Sequence, residues 1–173
     1  MSRSLKALLA VLALGLALRF AVALNVALIS GDGITRILLA RTFRDEGFEA
    51  GLKACLVPGY HPFNPILIRW LGEVTEDLEL AGFALSVGFG TLGILGVFLL
   101  AREAWGVREG LLAALLWALL PDAVHFTSDV LTEGQFLFFW IFGAWAGLAG
   151  LKRGCPRWML LAGVLGGLAY ETR

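Results

Sequence analysis

Residues 7–29 form an almost uninterrupted apolar run, broken only at Arg19 and Asn25, and no other feature constrains the chain as much. At about 1.5 Å per helical residue the run reaches roughly 35 Å, enough to cross a hydrocarbon core of about 30 Å. Backbone in lipid must satisfy its own polar groups, so a single segment of this kind has to be a helix. The chain as a whole follows suit, with 58% apolar and 16% charged residues and a mean hydropathy of +0.79, outside the range of soluble domains. The fold class expected is an all-α integral membrane protein, a multi-span helical bundle. Fourteen basic residues balance fourteen acidic ones, which removes the electrostatic case for nucleic acid as a partner. The apolar content argues against disorder. Cys55 and Cys155 are too few for a disulfide framework or a structural zinc site.

Further spans are expected at about 81–101, 110–126, 131–151 and 158–173, the last too short to cross and therefore incomplete. Pro121 should kink or end the third, because it lacks the amide donor that a helix interior needs. Twenty-two glycines suit close helix packing in lipid. Basic residues in short connections set orientation: Arg3 and Lys6, Arg102 and Arg108, and Lys152, Arg153 and Arg157 all fall on one side, read as the cytoplasm. The protein is then a multi-pass protein of the cell (inner) membrane, with the amino terminus cytoplasmic and the loop at residues 30–80 outside. Cys55 and Cys155 would sit on opposite faces. A cleaved signal peptide is the alternative for the first run, since Arg3 and Lys6 precede it and it passes Ala21-Val22-Ala23.

The outer loop carries two helical patterns. Ile34, Ile37, Leu38 and Phe43 recur among Arg36, Arg41, Arg44 and Asp45, which predicts a helix in the membrane interface with its apolar face on lipid. Asn64-Pro65 before Ile66, Leu67, Ile68, Trp70 and Leu71 predicts a second, with Asn64 as cap and Pro65 first in the helix. Both are equally compatible with plain anchoring.

Acidic groups near the hydrocarbon cost about 2.5–3.5 kcal/mol and usually face a cavity or partner. Asp32, Asp122, Asp129 and Glu133 qualify. Asp32, between Gly31 and Gly33, reads either as a reactive carboxylate or as a solvated turn or helix cap. Glu133 reads as a functional acid or as a first-turn carboxylate on the helix dipole, with Thr132 or Asp129 capping. His61 is an interfacial ring or a donor aimed at an anion. Asp32 and Arg36 are four apart and share a helix face, so they could simply pair. Arg19, deep in the first span, requires a salt bridge, a snorkelling route or an anion. No glycine-rich phosphate loop, HExxH or Ser-His-Asp pattern is present.

The order of these features resembles the amino-terminal part of a C-type integral-membrane glycosyltransferase. The residues that carry the likeness are Gly31-Asp32-Gly33-Ile34-Thr35-Arg36, Gly47-Phe48, Tyr60-His61-Pro62-Phe63-Asn64-Pro65, Ser128-Asp129-Val130-Leu131-Thr132-Glu133 and Gly167-Leu168-Ala169-Tyr170-Glu171-Thr172-Arg173. The chain is similar to the family of protein O-mannosyltransferases and the lipid A aminoarabinose transferase. That resemblance implies transfer of a sugar from a polyprenyl-phosphate donor to a lipid, glycan or protein acceptor on the extracytoplasmic side of the bilayer. It also implies two interfacial helices in the first outer loop and an essential acid at the loop's start, the position of Asp32. The family often has a second acid directly after it, where this chain has Gly33. His61 matches a Lys or His near the donor phosphate, and Glu133 an acid at the head of the fourth span. Relatives run to several hundred residues, so the chain is expected to be a portion of such an enzyme, inactive alone.

On this reading Asp32 accepts the acceptor's proton or orients the acceptor, Glu133 assists as the second catalytic acid, and His61 and Arg36 bind the phosphate. The arrangement calls for no metal and no cofactor. A non-catalytic membrane subunit that binds a polyprenyl phosphate is the alternative, and a transporter is the third reading.

Overall fold

The computed structural model describes residues 2–25, 30–57 and 59–172. Among these the regular secondary structure is all helix: α1 (Arg3–Asn25), α2 (Gly31–Asp45), α3 (Phe48–Leu56), α4 (Phe63–Thr75), α5 (Leu78–Ala104), α6 (Val107–Leu119), α7 (Pro121–Phe126), α8 (Glu133–Arg153) and α9 (Pro156–Glu171). The expected end of the first span, residues 26–29, and Arg173 lie outside the described residues. Three helices, α1, α5 and α8, are long and apolar enough to cross a membrane. With 27 residues, α5 is about 40 Å long and serves as the axis against which the others can be measured.

Packing contacts give each helix its direction. Leu8 of α1 clusters with Phe98 of α5, and farther along α1 Gly15 abuts Ile94, so the two run antiparallel. Gly110, near the start of α6, lies against the Phe98 carbonyl and Arg102, and Trp117 reaches Gly93; α6 is antiparallel to α5 as well. Along α8, Gly134 lies against Ser86 and Gly90, Ile141 against Gly96, and Arg153 against Glu103 at 2.9 Å. α8 is therefore parallel to α5, and α9 folds back antiparallel on α8, with Gly150 against Met159 and Gly143 against Leu165.

This arrangement gathers charge at one end. Lys152 and Arg153 both bond Glu103, and Ser2, Ser4, Arg102 and Val107 line one shared cavity. The opposite end carries α2, α3 and α4. Ile37 and Ala40 of α2 and Ile68 of α4 cluster with Leu78 and Ala81 of α5 and with Val130. The apolar face of α2 is thus divided rather than laid wholly on lipid: Ile37 and Phe43 are buried in protein while Ile34 and Leu38 are exposed.

Two local expectations need correction. Asn64 does not cap α4. The helix starts two residues earlier, at Phe63, with Pro62 in the cap position and the first helical bond from Ile66 N to the Pro62 carbonyl at 3.0 Å. Pro65 then falls in the first turn, where its missing N–H leaves no bond unmade. The helix α3 was not foreseen; it folds because Leu52 and Cys55 pack back on Leu39 and Phe43 of α2.

The expected third span is not one rod. α6 is 13 residues, about 20 Å, and Ala118 near its end faces Gly15 of α1, roughly halfway along the bundle. Pro121 starts the separate α7. After it, the chain from Thr127 to Thr132 is non-helical and almost wholly buried. Thr127 sits against Gly90 and Gly134, and Val130 sits against Gly82, so this segment climbs some 12 Å along α5 before α8 begins. Glycine is required at position 90, because a side chain there would overlap Thr127. Gly90→Leu is expected to destabilise the fold by about 1–3 kcal/mol through overpacking. Gly88→Ala, with nothing near the added carbon, should be neutral or gain up to about 1 kcal/mol of helix propensity. Thermal unfolding in detergent, followed by circular dichroism, measures both.

Candidate functional site

Ser30 opens α2, its hydroxyl accepting the Gly33 N–H at 3.1 Å. Asp32 consequently lies inside the first helical turn and caps nothing. Its carboxylate is exposed to solvent, in the one part of the helix where the backbone dipole favours negative charge. One turn on, Arg36 points inward and is 8% exposed.

The two do not pair directly. Tyr60, 28 residues away in sequence, comes between them: its hydroxyl donates to Asp32 Oδ1 at 2.6 Å, and the Arg36 guanidinium lies over its ring at 4.8 Å. The loop before α4 thereby closes on the first turn of α2. Tyr60 belonged to the recognised Tyr60-His61-Pro62 run, but its role could not be read there, since a phenol's partner across a loop leaves no periodic trace.

Arg36 retains unused hydrogen-bonding capacity, because its Nε, although buried, has no hydrogen-bond partner among the described residues. Burial pulls the guanidinium below the ordinary arginine value, opposed by the charges of Glu133, Tyr60 and Asp32, in that order of strength. Glu133 therefore lies within electrostatic reach of Arg36, as the first residue of α8. A cavity of about 150 Å³ opens beside it, lined by Thr132, Glu133, Phe136 and Leu137. Thr132 holds the cap position of α8 without a side-chain bond, and the Asp129 carboxylate turns elsewhere, accepting from Ser30 N at 3.2 Å and Val130 N at 2.6 Å.

His61 takes a different partner. Its Nδ1 lies 3.6 Å from Glu171 Oε2, and its ring meets Tyr170 edge-on at 5.4 Å, so the end of α9 is drawn to the start of α4. Of the four residues expected at the site, Asp32, Arg36 and Glu133 converge, with Tyr60 added. His61 stands one residue from Tyr60. Asn64, buried at 2% exposure with its Oδ1 without a partner among the described residues, lies just beyond. The site thus offers an exposed carboxylate, a buried cation with a free donor, and a second acid facing that cation from another helix. Such a set can accept a proton at one point and bind an anionic oxygen at another.

The family described as dolichyl-phosphate-mannose-protein mannosyltransferase matches residues 57–173, about two thirds of the chain. No curated protein sequence matches the chain.

The hydrogen bond to Asp32 raises the Tyr60 phenol above its ordinary value, with burial and the negative charge of Asp32 acting in the same direction. The neutral, protonated phenol is the form the fold favours. The bond should be intact below the ordinary tyrosine value of about 10 and be lost only as the pH rises through the raised one. In a Tyr170→Phe background, ultraviolet absorbance should show Tyr60 ionising above about 10, and Asp32→Asn should bring it down. An unchanged midpoint in that variant would separate Tyr60 from Asp32.

Proposed function

From the family match the chain belongs to the dolichyl-phosphate-mannose-protein mannosyltransferase family, and on that premise we propose that it transfers a sugar from a polyprenyl-phosphate donor, with Asp32 as base and Arg36 holding the phosphate. The protein is a multi-pass membrane glycosyltransferase by family and by its apolar helices. The observation that carries the finer reading is the buried Arg36, its Nε without a partner among the described residues, stacked on a tyrosine that is itself bonded to Asp32.

Anion and base must lie close together in such a reaction. The acceptor's hydroxyl oxygen attacks the anomeric carbon, the carbon–oxygen bond to phosphate breaks, and the departing polyprenyl phosphate keeps the electron pair. The hydroxyl proton passes to the Asp32 carboxylate. The Arg36 guanidinium supplies positive charge to the leaving phosphate, and His61, at the neighbouring loop, supplies a donor when protonated. Tyr60 keeps Asp32 and Arg36 from neutralising one another, so each stays available to substrate. Glu133 faces Arg36 from α8 and orients acceptor or guanidinium.

The donor's apolar tail has a matching surface. An apolar groove of about 600 Å³ runs between α5, α6 and α8, past Trp117, Trp140 and Leu148. It shares Leu137 with the cavity beside Glu133, so a headgroup at the site and an isoprenoid chain in the groove would be continuous. α2 and α4 then lie at the extracytoplasmic interface. The end rich in Lys and Arg faces the cytoplasm, because basic connections are retained on that side.

A second reading, a non-catalytic module that holds a polyprenyl phosphate, is favoured by the same unpartnered Arg36 Nε. Asp32 separates the two, since a base is needed for turnover and a carboxylate only opposes phosphate binding. Reconstituted with a polyprenyl-phosphate mannose donor and a hydroxyl-bearing acceptor peptide, Asp32→Asn should lose roughly 10²–10⁴-fold in transfer while still binding donor. Normal transfer in a folded Asp32→Asn protein would remove the base. His61→Ala should raise the KM for donor more than that for acceptor, and the reverse result would reassign His61.

A further inference from the structure

Arg19 and Asp129 are buried charged residues that the proposed chemistry does not use. Arg19 is fully buried within α1, and the partners it has found are neutral. Its Nε donates to Thr127 Oγ1 at 2.8 Å and its Nη1 to the Gly15 carbonyl at 3.1 Å, while Nη2 has no partner among the described residues. Among the described residues no salt bridge to Arg19 is present, and its full burial leaves no snorkelling route. Asp129, 6% exposed, stands two residues beyond Thr127. Its two oxygens are divided between Val130 N and Ser30 N.

Those bonds describe a strut. Thr127 is wedged between Gly90 and Gly134 and fixed by Arg19. From it the chain passes through Asp129 to Ser30, the cap of the helix turn that carries Asp32. On its other side the same segment is fixed by Ser86 Oγ, which donates to the Leu131 carbonyl at 3.2 Å, and it runs directly into Glu133. A single buried segment therefore reaches both acids of the site from a fixed point near the middle of the bundle.

We propose that Asp129, seated by the Arg19–Thr127 bond, is a positioning residue that holds Asp32 and Glu133 in register; this rests on the transferase reading above. The geometry favours a carboxylate at 129, because two backbone N–H groups converge on it and an amide would turn an N–H toward one of them. A hydroxyl is needed at 127, because its removal leaves the buried Arg19 Nε without an acceptor.

The test compares Thr127→Val, Thr127→Ser, Asp129→Asn and Asp129→Glu in the full chain, each with a Tyr170→Phe background. Two readouts are taken: transfer from a polyprenyl-phosphate mannose donor, and the ionisation midpoint of Tyr60, which reports whether Asp32 still accepts its bond. Misplacing a reacting group by about 1 Å costs on the order of a hundredfold. Thr127→Val and Asp129→Asn should lower kcat by up to that factor, with donor KM changed less than about threefold. The Tyr60 midpoint should fall toward its ordinary value in both. Thr127→Ser should restore kcat and midpoint, and Asp129→Glu should restore part. Unchanged kcat and midpoint in Thr127→Val and Asp129→Asn would overturn the proposal, as would equal damage from Thr127→Ser and Thr127→Val. If the parent chain shows no transfer, the Tyr60 midpoint alone still decides whether the strut positions Asp32.

Discussion

Non-helical backbone at membrane depth is tolerated only where protein, rather than lipid, surrounds it and completes its hydrogen bonds. The segment from Thr127 to Thr132 is buried in protein and has several of its polar groups bonded there. Ser128 N finds the His125 carbonyl and Leu131 N finds the Asp129 carbonyl. The Ser128 hydroxyl returns to the Val124 carbonyl, and the Leu131 carbonyl takes Ser86. Arg19 supplies the donor that fixes Thr127. The glycines at 82, 90 and 134 make the room. Were any wall of this slot absent, the chain between α7 and α8 would have to continue as helix or leave the bundle, and α8 would begin elsewhere.

The start of α8 decides the electrostatics of the site. With Gly134 against the Ser86 carbonyl and the Gly90 amide, the helix begins roughly 12 Å along α5 from Leu78, below the layer in which α2 and α4 pack on Leu78 and Ala81. The charge of Glu133 is the strongest one opposing the desolvation of the Arg36 guanidinium. Asp32, on the exposed side of α2, faces it from above through Tyr60. A buried arginine carries a large desolvation cost; here two acids at a remove oppose it without cancelling it, and neither closes a salt bridge with the guanidinium.

Much of this was legible in the sequence, for physical reasons that differ by element. α1, α5 and α8 were found because an apolar run of some twenty residues has few alternatives. The basic clusters at Arg3, Arg102 and Lys152 predicted a shared side, and the contacts of Glu103 with Lys152 and Arg153 bring two of the three together. Pro121 marked the break between α6 and α7 because its ring carries no N–H. Capping was less legible: Asn64-Pro65 fits a helix start by residue type, yet the helix starts at Phe63 with Pro62 in the cap position and no side-chain cap bond. Asp32 and Arg36, four apart on one face, suggested an ion pair, and nothing local could reveal that a phenol from residue 60 would take the place between them. The partner of Arg19 was illegible for the same reason, because Thr127 is 108 residues distant and uncharged.

The choice of arginine at position 19 follows from the geometry it serves. A lysine presents one ammonium on a flexible stem, whereas guanidinium donors lie in a fixed plane and are less strongly hydrated. Arg19 uses that plane to bond a carbonyl of its own helix through Nη1 and a hydroxyl of a distant segment through Nε. The first bond fixes the side chain against α1, so the second can fix Thr127 against the helix rather than merely tether it. A buried ion pair would have held the same place with more charge, but removing an acid from water is costly unless every oxygen is bonded. The one buried acid nearby, Asp129, already has both oxygens engaged by backbone N–H groups. Cation and anion thus act at opposite ends of one short segment, each bonded to neutral groups, and the rigidity they lend is directed along the chain toward Ser30 and Glu133.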